Sequence, residues 1–371
     1  MKFVFASDSF KGSLTCETIN AILTETAKSV FPACECVPLL IADGGEGTLE
    51  AVITQKQGKI VYTQATDPLG NQIPTRYGVF DDCALICMSE ISGLPLVPVE
   101  KRNARYTTSY GTGELMRHAV QSGYKKIFVT LGGSATNDCG MGALQALGYA
   151  FYDKDGKPCK GIGDELWKVS RIDDSNALDF SGIEMTVLCD VSNPLLGEKG
   201  ATYTYGKQKG ATETDLAFLE SGMSNFASVL QEKFSNDPNI AGGGAAGGLG
   251  AALRTVFHAK MQSGIKTVLD LCDFDNAVKD ASLVITGEGR VDFQSANGKV
   301  IDGVLSRANG VPVVAIAGSI GDGADALYKK GLTAAFAIVN KPMELVDALN
   351  NAETLYRQAA ENVFRLFATK I

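Results

Sequence analysis

Lys2-Phe3-Val4-Phe5-Ala6-Ser7-Asp8-Ser9-Phe10-Lys11-Gly12-Ser13 opens the chain, and the reading of this stretch decides the fold. Residues 2–6 are apolar enough for a buried strand, and the polar loop that follows, with Lys11 and Gly12, leads into a helix expected over 15–30. Ile19, Ile22, Leu23, Ala27 and Val30 fall on one face at helical spacing, and Glu17 sits in the first turn, where the helix dipole favours an anion. A second strand over 37–41 runs into Asp43-Gly44-Gly45-Glu46-Gly47-Thr48 and another helix. The far end repeats this alternation. Strands over 283–286, 311–317 and 334–339 alternate with helices, and an amphipathic helix over 350–367 places Leu355, Ala359, Val363 and Leu366 on one face. Such alternation implies a parallel, doubly wound sheet.

Between these ends the period changes. Residues 60–65, 75–80 and 84–91 have strand character and are joined by turn residues at Asp67-Pro68-Leu69-Gly70 and Asp81-Asp82, the pattern of an antiparallel meander. Helix 113–121, strand 126–131, helix 141–147 and strand 185–189 follow, with 153–181 read as irregular and a polar helix over 213–233. A chain of 371 residues is too long for one compact core, since cores stop growing near about 250–300 residues. The simplest assembly is one open α/β domain from 1–62 and 262–371, with 63–261 inserted as a second α/β domain of mixed sheet.

Composition narrows the partners. With 34 Lys and Arg against 42 Asp and Glu the net charge is −8, which disfavours nucleic acid. The longest apolar runs, such as 311–317, fall far short of the roughly 20 residues a spanning helix needs. The apolar start 3–6 is cut short by Asp8 and Lys11, unlike a secretory signal. Nine cysteines without a C-x-x-C pair read as reduced thiols, and the expected location is the cytoplasm. His118 and His258 are the only histidines, too few for a His-based zinc site. Both are expected to be structural, as are Cys83 and Cys87, while Trp167 is read as an anchor without a role.

Four apolar strands end in glycine mixed with Asp, Glu, Ser or Lys: at 7–13, 42–48, 131–138 and 286–292. In open α/β sheets the carboxyl ends of strands border the ligand crevice, so these loops are expected to converge. The run Gly242-Gly243-Gly244-Ala245-Ala246-Gly247-Gly248-Leu249-Gly250 suits backbone approach to phosphate ahead of a helix over 251–257. It contains G-x-G-x-x-G, and Gly321-Asp322-Gly323-Ala324-Asp325-Ala326 is a near-match. These matches keep a nicotinamide-dependent dehydrogenase of small hydroxyacids as the alternative function, although neither is followed by a clear ribose-binding acid. No Gly-Lys pair precedes Ser or Thr, so Walker A is absent. Asp190, after the strand 185–189 and beside Asn193-Pro194, has the position of a general base; the plainer reading is a turn cap.

Taken together, Asp8-Ser9-Phe10-Lys11-Gly12, Asp43-Gly44-Gly45-Glu46-Gly47-Thr48, Gly132-Gly133-Ser134-Ala135-Thr136-Asn137-Asp138, Asp190 to Pro194, the glycine run and Val284-Ile285-Thr286-Gly287-Glu288-Gly289-Arg290 resemble the bacterial type I glycerate kinase family, in order and over nearly the whole chain. The resemblance implies ATP-dependent, Mg²⁺-assisted phosphorylation of D-glycerate to 2-phosphoglycerate, in a cleft between a flavodoxin-like domain and a restriction-enzyme-like one. Three positions depart from the family pattern: Cys139 for glycine, Ser295 for threonine, and Val300-Ile301 for a small residue and proline.

Phosphoryl transfer asks chiefly for positioning and for charge stabilisation. Lys11 and Arg290 are the expected cations, with Arg290 better suited to the glycerate carboxylate because its planar fork binds bidentately. Asp190 is the expected base and Asp8 the second candidate. Asp43, Glu46, Glu288 and Asp292 offer hard oxygens, of which Mg²⁺ usually takes only one or two; Glu46, Glu288 and Asp292 are the expected metal set. Nucleotide contacts are expected from Gly244, Gly247, Gly248, Gly132, Gly133 and Ser134, and acceptor contacts from Asp43, Asn137, Asp138 and Arg290. The expected partners are these two small molecules, with no nucleic acid or membrane, and a homodimer is left open.

Overall fold

In the computed structural model, which describes residues 1–45, 47–293, 295–296 and 298–369, the chain divides into two compact units. The first comprises Met1–Asp43, Glu50–Lys56 and Ile265–Ile371, and the second Gly44–Leu49 and Gln57–Gly264.

Five parallel strands form the sheet of the first unit, in the order Glu35–Pro38, Lys2–Ser7, Leu283–Gly287, Val313–Ala317 and Leu332–Ala337. Counted along the chain this is 2-1-3-4-5, the flavodoxin-like order of a doubly wound sheet. The strands Leu283–Gly287 and Val313–Ala317 are buried at every residue, as parallel strands covered on both faces must be. The helix Cys16–Val30 starts where the Thr15 hydroxyl accepts from the Thr18 amide at 3.2 Å, which satisfies one of the free donors of its first turn. Its buried face, Ile19, Ile22, Leu23 and Ala27, shares a core with Leu355, Val363 and Phe364 of the helix Ala352–Ala368. Phe3 lies 5.3–5.8 Å from the rings of Phe31, Phe364 and Phe367. Burying each such ring is worth about 1.5–3 kcal/mol, so the last helix is tied to the first strand.

Two expectations for this unit need correction. The strand ends at Pro38, which pairs with Phe5, and a last backbone bond runs from the Leu39 amide to Phe5 O at 2.8 Å; Leu40 and Ile41 are buried beyond the strand, so their hydrophobicity marked burial and not pairing. The closing helix starts at Ala352, since Asn350 ends a separate helix, Leu345–Asn350.

The second unit holds a six-stranded mixed sheet. Lys260–Gln262, Glu184–Leu188, Lys126–Thr130 and Cys83–Cys87 run parallel, and Gln72–Phe80 and Lys59–Thr66 complete the antiparallel meander. Asp67 Oδ1 accepts from the amides of Leu69 and Asn71, both at 2.8 Å, and so fixes the predicted hairpin turn. The expected boundary after residue 62 cuts the strand Lys59–Thr66, which pairs over its full length with Gln72–Phe80. The second boundary similarly cuts the unforeseen strand Lys260–Gln262. Within the stretch expected to be irregular lie the antiparallel pair Ala150–Asp153 and Val169–Asp173 and the 3₁₀ helix Gly163–Lys168. Phe151, Leu166, Val169 and Ile172 pack there against Met223, Phe226 and Leu230 of the helix Glu213–Phe234. Strands this short show no two-residue period in sequence. That long helix opens on a reciprocal box between Thr212 and Asp215.

Candidate active site

In the first unit, residues following the carboxyl ends of four adjacent strands line one cavity of about 590 Å³. Asp8 follows Lys2–Ser7, Glu288 follows Leu283–Gly287, Gly318 follows Val313–Ala317 and Ile338 follows Leu332–Ala337. The first two of these strands are neighbours in the sheet and flank the point where the strand order reverses, the position at which such sheets receive ligands. The Asp8 amide donates to Gly287 O at 2.9 Å, which holds the two loops together. Of the residues singled out in sequence, Asp8, Lys11, Asp43, Glu288 and Arg290 line this cavity; Lys299 lines it too and was not anticipated.

Crowded carboxylates dominate its electrostatics. Burial, with the charges of Asp43 and Glu288, pushes the Asp8 carboxyl up to about 7, against the pull of the Ser9 amide, 2.7 Å away, and of Lys11. Burial also raises Glu288, and Asp43 and Asp292 add to this, while Ser295 and Lys299 oppose it. Lys299 Nζ stands 3.9 Å from Glu288 Oε2. Glu288 Oε1 is buried without a hydrogen-bond partner.

Lys11 owes its placement to its neighbours. Phe10 and Leu14 are buried and exchange backbone hydrogen bonds of 2.8 and 3.0 Å, which pins a tight turn and leaves Lys11 exposed. Arg290 is also exposed and pairs through Nε with Asp292 Oδ2 at 3.3 Å. Asp292, expected in the metal set, is thus engaged by a cation. Glu46, the third member of that set, lies outside the described residues. Among the described residues no group of three or more His, Cys, Asp or Glu side chains is arranged to hold a metal ion.

A second cluster sits at strand ends of the second unit. Asp190 Oδ1 accepts from Ser263 Oγ at 2.7 Å and from the Gly264 amide at 2.9 Å, so this exposed carboxylate caps the start of the helix Gly264–Leu271. A side chain on Gly44 would come within 3.5 Å of Asp190 Oδ2, and one on Gly132 within 3.2 Å of Gly45 Cα. Gly44, Gly45, Gly132 and Asp190 thus converge, and Gly133 is exposed beside them.

The remaining candidates prove to be buried parts of the second unit. Gly244, Gly247 and Gly248 are buried. Gly247 has φ +65°, and a Cβ there would lie 2.0 Å from Thr136 O, so glycine is required by close passage of two backbones, and phosphate is not needed to explain it. Asp138 is wholly buried; its Oδ2 accepts from the Ser109 amide, the Ser109 hydroxyl and the Gly142 amide at 2.7–3.2 Å, and its Oδ1 from the Gly140 amide at 3.2 Å. These four donors occupy it, and it acts as a structural bracket between two helix starts. Asn137 is likewise buried, with Nδ2 donating to Thr202 Oγ1 at 3.3 Å. The Ser134 hydroxyl is taken by Lys209, whose Nζ also donates to Thr136 O at 2.7 Å. Nothing in the sequence distinguishes Lys209 from its neighbour Lys207. Cys139 adopts φ +49°, the left-handed conformation for which glycine is the usual choice.

His118 Nδ1 lies 2.8 Å from the Tyr77 hydroxyl and His258 closes a helix with φ +54°; both are structural. Cys83 and Cys87 are buried, and all nine cysteines are free thiols. Trp167 is half-exposed on the 3₁₀ helix, with Lys168 Nζ 5.7 Å from its ring centroid. The G-x-G-x-x-G match is the buried run, and in the near-match Gly321 and Gly323 form a turn against Arg290 and Phe293. No helix among the described residues is long and apolar enough to cross a membrane.

Comparison with known proteins agrees with this reading. The model of the glycerate kinase family matches residues 3–368. The chain is 42% identical to the glycerate kinase of Haemophilus influenzae, with 100% of each chain covered. It is 41% identical to the glycerate kinase of Halalkalibacterium halodurans, covering 97% of this chain and 96% of the relative. It is 38% identical to the glycerate 2-kinase of Escherichia coli, covering 98% and 97%. The crystal structure of a glycerate kinase 2 homologue from Salmonella typhimurium LT2 superposes with a TM-score of 0.89 at 38% identity, covering 100% of this chain and 99% of that one. With a family match across almost every residue and relatives near 40% identity over their full length, the chain belongs to the glycerate kinase family.

Proposed function

We propose that the protein transfers the terminal phosphoryl group of ATP to the 2-hydroxyl of D-glycerate, giving 2-phosphoglycerate and ADP, with its chemistry at the Asp8, Asp43 and Glu288 cluster. Support for the activity comes from the full-length relatives, and for the regiochemistry from the glycerate 2-kinase among them. The observation that carries the site is the crowding of three carboxylates at the switch point of the sheet, beside Lys11 and Arg290.

Asp8 acts as the base in this scheme. A carboxyl poised near 7 is matched to accepting a hydroxyl proton at neutral pH. As the glycerate oxygen forms its bond to the terminal phosphorus, its proton passes to Asp8, and the bond to the bridging oxygen breaks to release ADP. Lys11, on its pinned turn, offers its ammonium to the transferred group, and Arg290 receives the glycerate carboxylate. Asp190, oriented by Ser263 and Gly264, is the second candidate for the base.

The unpartnered Glu288 Oε1 and the nearby Asp43 carboxylate fit a Mg²⁺ site of the usual kind, with one or two protein oxygens and the rest from phosphate and water. When bound there, Mg²⁺ supplies positive charge against the phosphate oxygens. Burial and mutual repulsion raise both Glu288 and Asp8 above the usual carboxylate range, so these residues favour a cation on electrostatic grounds.

An ADP-release assay across small hydroxyacids, with the product identified by phosphorus NMR, tests the reading. D-Glycerate should be the best acceptor and 2-phosphoglycerate the product. A 3-phosphoglycerate product would overturn the regiochemistry, and turnover undiminished by excess chelator would remove Mg²⁺.

A further inference from the structure

The cavity of the first unit is larger and more apolar than a three-carbon acid requires. It extends across four neighbouring strand ends, from Asp8 to Ile338 and Val339. Three steps of about 4.8 Å between strands give it a length of about 14 Å. Its lining has two chemistries. Lys11, Arg290 and Lys299, with the carboxylates of Asp8 and Glu288, come from the loops after the two strands at the switch point, and Asp43 from the loop after Glu35–Pro38, whereas Ile338, Val339, Leu345, Ala348, Leu349 and Ala352 come from the segment after the last strand and form an apolar wall. Leu345 and Leu349 are 72% and 40% exposed and Val339 is 38% exposed, an uncovered apolar surface in the same cavity as the charged loops.

We infer that this apolar wall is the binding site for the purine base of the nucleotide, so that ATP lies along the strand ends of the first unit, base against Val339 and Leu349 and phosphates toward Lys11 and Lys299. The mixed lining selects this occupant: a molecule that joins a flat apolar ring to a polyanion uses both the aliphatic wall and the ammonium groups of Lys11 and Lys299, and a hydroxyacid alone does not. The glycine run expected to hold the nucleotide is buried against Thr136 and Asn137. All six residues of the wall have aliphatic side chains, so their side chains grip the ring by its faces and do not read its hydrogen-bonding edge.

The inference rests on the kinase reading, and calorimetry separates the two. Val339→Asn and Leu349→Asn are neutral changes at exposed positions, and circular dichroism melts check that each variant folds. For both variants ADP with Mg²⁺ should bind about tenfold more weakly, because less apolar surface is then buried against the ring, while inorganic tripolyphosphate, which has no base, keeps its wild-type affinity. ADP affinity unchanged in both folded variants would overturn the site, and so would an equal loss for tripolyphosphate, which would indicate disturbance of the charged end. If wild-type protein forms no ADP from ATP and D-glycerate, the kinase reading fails, whatever the calorimetry shows.

Discussion

Lys209 Nζ lies 2.8 Å from Ser134 Oγ in the interior of the second unit, with Lys209 only 2% exposed. Burial lowers its pKa to about 7 from 10.5, and the charge of Asp138 only partly restores it. Between those two pH values the unfolded chain binds more protons than the folded one, so this residue makes stability rise with pH across that window and fall again as pH drops toward 7. In Lys209→Met this slope should vanish. Urea unfolding at several pH values between 7 and 10 measures it, and an unchanged slope in the variant would clear Lys209 of the effect.

Asp8→Asn keeps the size of the side chain but cannot take up a proton. Its kcat should fall by about 10² to 10⁴, while Asp190→Asn, at a carboxylate already occupied by Ser263 and Gly264, should lose less than about tenfold of a positioned base's contribution. Steady-state kinetics of the pair decide the assignment, and the reverse ranking would move the base to Asp190.

Lys11→Met should leave folding intact, since Phe10 and Leu14 carry the packing of that turn. Removing one stabilising charge from the transferred group should cost about 10² to 10³ in kcat, with a smaller change in KM for ATP because the interaction strengthens in the transition state. Wild-type kcat would make Lys11 a surface charge.

Gly247→Val places a branched side chain at φ +65° and a Cβ 2.0 Å from Thr136 O. The expected outcome is a protein that is insoluble or melts well below wild type, whatever ligand is present. A soluble variant with a wild-type melting temperature and weakened ATP binding would instead return the run to the nucleotide.

The strand and helix alternation at both ends, the meander from residue 59 and the loops carrying Asp8, Lys11, Asp43, Glu288 and Arg290 were legible in the amino-acid order, because apolar periodicity and helix caps are local signals. Family membership was legible too, from motifs in order along the chain. Glycine was the ambiguous letter. Gly132 and Gly133 lie open just after a strand end while Gly44, Gly244, Gly247 and Gly248 are buried, and a missing Cβ serves close approach to phosphate and close approach to backbone equally well. The charged residues were ambiguous in the same way: Asp138 and Lys209 are buried structural groups, whereas Asp8 and Glu288 line the cavity. Burial and the distance to other charges decide what such a group does, and both depend on residues far apart in the chain, as when Glu288 comes beside Asp8 through the pairing of Ser7 with Gly287.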